Sequence, residues 1–310
     1  MAASGQARPN IIQNGQSPDG DEGRKTMTDD SRLTVETPSG KDVAYENFPV
    51  GSWLLPRALR PHIARFYAFA RAIDDIADNP DLEAGEKVKR LDGFEKALLG
   101  ATPGDPAFRT AHAMGESLAE TGITDRHCLD LIAAFKLDAT KLRYKDWDDL
   151  MGYCILSAAP VGRYLLDLHG GSRDGYGPSD ALCMALQVIN HLQDCKDDYQ
   201  SLDRVYLPAD WMAEAGVEAA DLAAGEATEG MRRVLDHCLD ATGTLLAEAR
   251  FLPGGLKSRR LAMESQAILE IAFRLVRILR NRDPLGQDRV QLSKPDYVWC
   301  CAKGVLRAWI

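Results

Sequence analysis

The sequence has no apolar run long enough to cross a bilayer. A membrane-spanning helix needs about 20 predominantly apolar residues, and polar or charged residues interrupt every apolar stretch of this chain before that length. Residues 1–30 are polar and lack the apolar core of a signal peptide. We therefore expect a cytoplasmic protein without transmembrane helices, which can still touch a membrane peripherally.

The cysteine count and the shortage of positive charge exclude further classes of protein. The seven cysteines are an odd number without metal-ligand spacing, which argues against a disulfide framework or a zinc site. The formal net charge of −9 argues against nucleic acid as a partner, because a phosphate backbone requires a basic face. An anionic substrate would therefore need cations at its own site, either metal ions or local Arg and Lys.

Helical periodicity is the main signal that the sequence does contain. Residues 1–42 are rich in Gly, Ser, Asp and Asn and predict a disordered tail, because they bury too little apolar surface to offset their ordering entropy. In residues 43–310 the apolar side chains recur at helical spacing, without a convincing strand alternation. We expect helices near 56–77, 83–99, 106–121, 125–143, 146–169, 179–200, 208–214, 230–250, 255–281 and 295–309. Short breakers separate them, so residues 43–310 are predicted to form one all-α domain, a helical bundle.

The C-terminal segment, Lys294–Ile310, admits two interpretations. Tyr297 and Trp309 belong to an apolar helix face, and Lys303 and Arg307 lie towards another. Such an aromatic, cationic helix can lie in a membrane interface. The alternative is a final helix that packs on the bundle, and the sequence favours neither.

Two carboxylate clusters point to the chemistry. Asp74 and Asp78 lie four residues apart, as do Asp194 and Asp198, so each pair occupies one helix face, and Asn190 lies one further turn along the second face. Both clusters occur within apolar patterns, where repulsion between neighbouring carboxylates grows with desolvation. Oxygen ligands completed by phosphate oxygens are the usual arrangement around Mg²⁺. We therefore predict Mg²⁺ as the cofactor, bridging both clusters to a diphosphate. Solvated helix faces are the alternative, and the presence of two copies makes it the weaker one.

Three further blocks give the sequence a family resemblance. They are Leu54–Pro56 followed by Tyr67 and Arg71, Tyr153 followed by Ala158–Gly162, and Asp203–Pro208. Together with the aspartate motifs they resemble the squalene and phytoene synthases, the head-to-head prenyl transferases. The resemblance implies a single-domain isoprenoid-synthase-type helical bundle with a central hydrophobic cavity, and a prenyl diphosphate as the substrate.

Within that family the sequence is most similar to the hydroxysqualene synthases of bacterial hopanoid and squalene biosynthesis. This similarity is carried by Glu46–Trp53, Asp138–Tyr144, Ser157–Gly162 and Asn190–Cys195. It implies Mg-dependent conversion of presqualene diphosphate to hydroxysqualene, in which diphosphate leaves, the cation rearranges and water quenches it without nicotinamide. The implied partners are the substrate, pathway enzymes and a membrane surface. Spacing assigns no residue as the base that activates the water.

The resemblance also implies roles for individual residues. The implied Mg²⁺ ligands are Asp74, Asp78, Asn190, Asp194 and Asp198. The implied catalytic residues are Tyr67, Arg71 and Arg204, which orient the diphosphate or substrate, and Phe48 and Tyr153, which line the reacting prenyl carbons. The implied substrate-binding residues are Asn47, Lys141, Arg143, Gln187, Gln193 and Tyr206. Core packing is the alternative for Phe48 and Tyr153, and a solvated turn is the alternative for Lys141 and Arg143.

Gln193 departs from the family pattern, since many relatives carry Arg immediately before the residue that matches Asp194. We infer that one cation beside the diphosphate is missing. Joining two farnesyl diphosphates must hold two diphosphates, whereas consuming presqualene diphosphate needs fewer cations, so the departure favours consumption. Two alternatives stay open. One is a presqualene diphosphate, squalene or phytoene synthase, and the other is a non-catalytic relative that acts as an assembly or lipid-binding protein.

Overall fold

The computed structural model describes residues 56–309, so the predicted N-terminal tail, Asn47 and Phe48 lie outside the described residues. This part of the chain contains twelve α-helices and two short strands. The helices are α1 Arg60–Ala77, α2 Ala84–Leu98, α3 Arg109–Thr121, α4 Arg126–Asp138, α5 Trp147–Ser157, α6 Ala159–Leu168, α7 Tyr176–Leu202, α8 Ala209–Ala215, α9 Glu229–Ala249, α10 Leu252–Gly255, α11 Arg259–Asn281 and α12 Lys294–Trp309. The strands are β1 Arg143–Tyr144 and β2 Val205–Pro208. The all-α fold class is confirmed.

Helix α1 presents the first aspartate cluster at its C-terminal end. The helix begins with Pro61 in its first turn, where the missing N–H has no helical partner to lose. Its buried stripe includes Ile63 and Ile73, as the periodicity predicts. The helix ends just before Asp78, and Pro80 prevents its continuation. The end of α1 therefore carries acidic side chains at the edge of the core.

Residues 146–169 form two helices instead of the single helix that we expected. Helix α5 ends at Ser157, α6 begins at Ala159, and Pro160 lies in the first turn of α6. Proline has no N–H to donate to the preceding turn, and its ring clashes with the carbonyl group four residues earlier. The proline therefore separates the two helices.

A parallel strand pair, which the sequence did not predict, joins the segments that follow α4 and α7. Strand β1 pairs with β2, with Arg143 opposite Val205. All of β2 is buried, so it lacks the polar–apolar alternation by which a strand is recognised. Helix α7 ends at Leu202 and is followed by Asp203, which has a left-handed backbone conformation with φ of 51°. This turn directs Arg204 into the bundle.

Helices α6 and α7 approach each other closely at Gly162. A Cβ atom there would collide with Ser179 Oγ and lie 2.7 Å from Cys183 Sγ. We expect Gly162→Ala to lower the free energy of unfolding by about 1–3 kcal/mol in chemical denaturation, because it overpacks a core contact. The control is Gly152→Ala in α5, where nothing lies within 4 Å of the added Cβ and alanine should favour the helix. Equal stabilities of the two variants would contradict this account.

Glu264 of α11 is buried, and burial raises the pKa of its carboxyl group from 4.5 to about 7. The native state therefore binds this proton more tightly than the unfolded chain, and stability falls as the pH rises from about 4.5 to about 7. The parent should lose this stability between pH 4 and pH 8, whereas Glu264→Gln should not. The free energy of unfolding of Glu264→Gln, measured by chemical denaturation, should therefore rise by about 3 kcal/mol relative to that of the parent over this range. A stability difference that is the same at both pH values would rule out the carboxyl group as the cause.

Helix α12 packs on α11, as one of the two interpretations of the C-terminal segment expects, and contact of its exposed side with a membrane stays a prediction. A Cβ atom at Gly304 would collide with the backbone of Ala267. Glu270 of α11 accepts hydrogen bonds from Lys303, at 2.6 Å, and from Arg307. No helix between residues 56 and 309 is both long and apolar enough to cross a bilayer.

Candidate active site

The first aspartate cluster lies on the last two turns of α1, beside an arginine of the same helix. Arg71 Nη1 lies 3.1 Å from Asp74 Oδ2, and Arg71 Nε lies 3.2 Å from Asp75 Oδ1. Tyr67 precedes Arg71 by one turn and shares its helix face. The structure thus brings together three residues that the sequence nominated: Tyr67, Arg71 and Asp74.

Arg204 connects the ends of α1 and α7. Its side chain is 5% exposed. Nη1 donates to Asp78 Oδ1 at 2.6 Å, and Nη2 donates to the carbonyl group of Ala77 at 2.7 Å. Its backbone N–H donates to the carbonyl group of Asp198 at 3.1 Å. One buried guanidinium group therefore places a positive charge between the two aspartate clusters.

The second aspartate cluster shares an electrostatic environment with the first. Asn190, Asp194 and Asp198 follow one another at intervals of one turn along one face of α7. Burial, followed by the negative charges of Asp194 and Asp78, raises the pKa of Asp198 to about 8. Asp78 lies near the end of α1, so carboxylates from both helices act on one another. A bound cation would relieve this concentration of negative charge.

Arg289 supplies the positive charge that the sequence suggested was missing. Its Nε and Nη2 both donate to the carboxylate of Asp194, the latter at 2.7 Å. Gln193 is 3% exposed, and its amide donates to the carbonyl group of Val290, next to Arg289. The inference of a missing cation is therefore wrong. It failed because Arg289 lies 95 residues from Asp194 and belongs to no local motif.

The donors of the two clusters suit Mg²⁺. Four carboxylates and the side-chain oxygen of Asn190 are hard oxygen ligands. Among residues 56–309, no group of three or more Asp, Glu, His or Cys side chains already converges as a metal cage. Arginines pair with Asp74, Asp78 and Asp194. Guanidinium groups also match phosphate oxygens, so the site is suited to exchange these pairs for metal and diphosphate contacts.

A buried group of phenols surrounds Asp138. Tyr153 and Tyr206 each donate from the hydroxyl group to one oxygen of the Asp138 carboxylate at 2.7 Å. Tyr144 packs on both rings, with centroid separations of 5.3 and 5.6 Å. Burial raises the pKa of Asp138 to about 6, although the charge of Arg204 and the phenol hydrogen bonds favour its ionised form. Sequence reasoning nominated the two phenols but gave Asp138 no role.

His191 connects the phenols to Gln187. Its ring stacks on Tyr206 with centroids 3.6 Å apart, and its Nε2 lies 3.2 Å from Gln187 Nε2. Burial, assisted by the charge of Arg204, lowers the pKa of His191 to about 3. The ring is therefore neutral near pH 7 and can accept a hydrogen bond from the Gln187 amide. A single histidine in an apolar helix has no distinctive spacing, so the sequence did not reveal this contact.

Lys141 and Arg143, which the sequence assigned either to diphosphate or to a solvated turn, are paired with acidic side chains. Lys141 Nζ lies 2.5 Å from Asp149 Oδ1. Arg143 Nη2 lies 2.5 Å from Asp203 Oδ1. These contacts hold the segment before α5 and the end of α7. Binding of diphosphate by Lys141 and Arg143 stays a prediction.

Comparison with known proteins places these features in context. The model of the squalene/phytoene synthase family matches residues 42–296. Hydroxysqualene synthase of Rhodopseudomonas palustris is 44% identical over 263 residues, which cover 85% of this chain and 89% of that protein. Hydroxysqualene synthase of Sinorhizobium fredii is 41% identical, over 80% of this chain and 84% of that protein. The crystal structure of squalene synthase HpnC from Alicyclobacillus acidocaldarius has a TM-score of 0.67 and 36% identity, and the match covers 81% of this chain and 92% of that one.

Proposed function

The chain is an enzyme of the squalene/phytoene synthase family, and from this premise we propose that it converts presqualene diphosphate to hydroxysqualene. The observation that carries the proposal is the meeting of both aspartate clusters around Arg204, beside buried phenols. Two relatives that are at least 41% identical are hydroxysqualene synthases, and they support the choice of reaction. The charge argument from Gln193 no longer contributes, because Arg289 occupies the second cluster.

Mg²⁺ is the proposed cofactor. Its proposed ligands are Asp74, Asp78, Asn190, Asp194 and Asp198. When bound, it stabilises the negative charge that develops on the departing diphosphate. Arg71, Arg204 and Arg289 pair with the aspartates in the free enzyme, and we expect them to bind phosphate oxygens when the substrate arrives. This exchange keeps the charge of the site nearly balanced both with and without substrate.

The phenol group is proposed to handle the hydrocarbon part of the substrate. Aromatic faces attract cations, so the rings of Tyr153 and Tyr206 suit a carbocation that forms after diphosphate leaves. Asp138 fixes both hydroxyl groups at 2.7 Å, and we infer that it positions the rings. Because the pKa of Asp138 is about 6, it is mostly ionised near pH 7, and its negative charge favours a nearby cation.

The remaining assignments stay proposals. Tyr67 and Gln187 are proposed to orient the substrate. Tyr67 lies one turn before Arg71 on α1, and Gln187 lies one turn before Asn190 and His191 on α7. Asn47 and Phe48 keep the roles predicted from the sequence. Peripheral contact with a membrane is proposed because a long prenyl substrate and its mostly apolar product both partition into lipid.

Separate incubations with farnesyl, geranylgeranyl and presqualene diphosphate test the choice of substrate. With Mg²⁺, the purified enzyme should release diphosphate from presqualene diphosphate, and EDTA should abolish the release. Turnover of farnesyl diphosphate without a partner enzyme would identify a condensing synthase instead. Release that persists in EDTA would remove the metal from the proposed mechanism.

A further inference from the structure

Residues 250–282 and 294–309 form a surface whose charge is opposite to that of the whole chain. They carry eleven Arg and Lys against three Asp and Glu, a net charge of +8, whereas the chain carries −9. Glu264 and Glu270 are buried, at 6% and 5% exposed, and Asp296 is paired with Arg274 at 2.9 Å. Lys303 and Arg307 pair with Glu270, and Arg280 pairs with Asp240 of α9. Even with these pairs, the surface, called the basic face below, has an excess of positive charge.

The basic face also exposes large apolar side chains. Phe251, in the loop between α9 and α10, is 74% exposed. On α12, Trp299, Val298 and Leu306 are 69%, 65% and 63% exposed. These are the four most exposed large apolar side chains of residues 56–308. Trp299 and Leu306 are seven residues apart and share one side of α12. Apolar exposure in the described structure is thus concentrated where positive charge is concentrated.

Contacts between the loop, α11 and α12 make the basic face continuous. The guanidinium group of Arg250, next to Phe251, lies 4.6 Å from the ring centroid of Phe273. Phe273 and Trp299 line a groove of about 300 Å³ between α11 and α12. The other lining residues are Glu270, Arg274, Arg277, Asp296, Cys300 and Lys303. None of these residues belongs to the aspartate clusters, so the groove is separate from the candidate active site.

We propose that the basic face binds the surface of an anionic bilayer. Aromatic and aliphatic side chains flanked by Arg and Lys are typical of segments that lie in a membrane interface. Positive charge on this face complements anionic lipid headgroups, while the negative charge of the remaining surface keeps the rest of the molecule in water. Such a contact would let a long prenyl substrate pass from the bilayer to the enzyme, and this use of the contact rests on the proposed function. The binding itself does not.

Vesicle co-sedimentation of the full-length protein without substrate tests the proposal. The protein should bind vesicles that contain phosphatidylglycerol and not vesicles of phosphatidylcholine alone, and added salt should weaken the binding. A cation near an anionic surface strengthens binding about fivefold, so Lys257→Gln with Arg277→Gln should weaken it about 25-fold. Phe251→Ser with Trp299→Ser should weaken it about tenfold or more.

Matched controls come from α2 and the residue that follows it. Leu99 is 54% exposed, and the side chain of Lys89 is 81% exposed. Leu99→Ser and Lys89→Gln should leave vesicle binding unchanged. Equal binding by the parent and the basic-face variants would overturn the proposal, as would equal binding to neutral vesicles.

Two further measurements separate membrane binding from self-association and from the proposed activity. A dimer in solution that Trp299→Ser dissociates, without vesicle binding, would make the basic face a contact between copies and overturn the proposal. Turnover of detergent-dispersed presqualene diphosphate is measured on the same variants. Intact turnover without vesicle binding would overturn the membrane proposal alone, whereas vesicle binding without turnover in the parent would count against the proposed function alone.

Discussion

Asp194→Asn is expected to lower kcat/KM for the prenyl diphosphate by roughly 10²–10³-fold. The amide is isosteric with the carboxylate but supplies no negative charge to a metal ion, so the half-saturating Mg²⁺ concentration should rise as well. Diphosphate release, measured over a Mg²⁺ titration, checks both effects. The matched control is Asp197→Asn, which changes an exposed residue of the same helix and should keep nearly full activity.

Stability measurements distinguish this loss from misfolding. In the free enzyme Asp194 is paired with Arg289, and both side chains are partly exposed, at 31% and 24%. Losing such a pair should lower the free energy of unfolding by less than about 1 kcal/mol. Full turnover by Asp194→Asn at the parent's Mg²⁺ requirement would contradict the ligand assignment. A large loss of stability would show that the pair serves mainly to hold the fold.

Arg204→Met is expected to lower the free energy of unfolding by about 3 kcal/mol and to remove activity. The substitution removes the hydrogen bonds that the buried guanidinium group donates to Asp78 and to the carbonyl group of Ala77, and losing charge-assisted hydrogen bonds at a buried site is strongly destabilising. Activity should fall because the positive charge between the two clusters is lost. Chemical denaturation and diphosphate release measure the two effects separately.

A double substitution separates the structural role of Arg204 from its proposed catalytic role. Adding Asp78→Asn to Arg204→Met removes the carboxylate that Arg204 neutralises, so part of the lost stability should return. Activity should not return, since both the cation and a proposed metal ligand are absent. The control is Arg143→Met, which breaks an exposed pair with Asp203 and should change stability by less than about 1 kcal/mol. A double variant as unstable as Arg204→Met alone would contradict the assigned pairing.

The sequence predicted the parts of the site that depend on helical spacing. Asp74 and Asp78 could be placed on one face of α1, and Asn190, Asp194 and Asp198 on one face of α7, because residues four apart in a helix are neighbours. Family resemblance then nominated Arg204 and Tyr206, which lie beyond the helix and have no periodicity of their own. Both residues have acidic partners, Asp78 and the buried Asp138.

The features that sequence reasoning missed depend on contacts between distant segments. Arg289 reaches Asp194 across 95 residues, and Tyr206 reaches Asp138 across 68. No local pattern encodes such contacts, since they form only when α4, α7 and the segment after α11 pack together. The strand pair was missed for a related reason, because β2 is buried on both sides and has no alternation. The charges near Asp194 in the sequence therefore predicted a missing cation, whereas the fold supplies Arg289 from a distant segment.

The fate of presqualene diphosphate in ¹⁸O-labelled water tests the central claim most directly. The enzyme should be incubated with the substrate and Mg²⁺, with and without NADPH, and the lipid products analysed by mass spectrometry. We predict hydroxysqualene that carries the label in equal amounts under both conditions, because water quenches the cation and no reductant takes part. Squalene that appears only with NADPH would contradict the account.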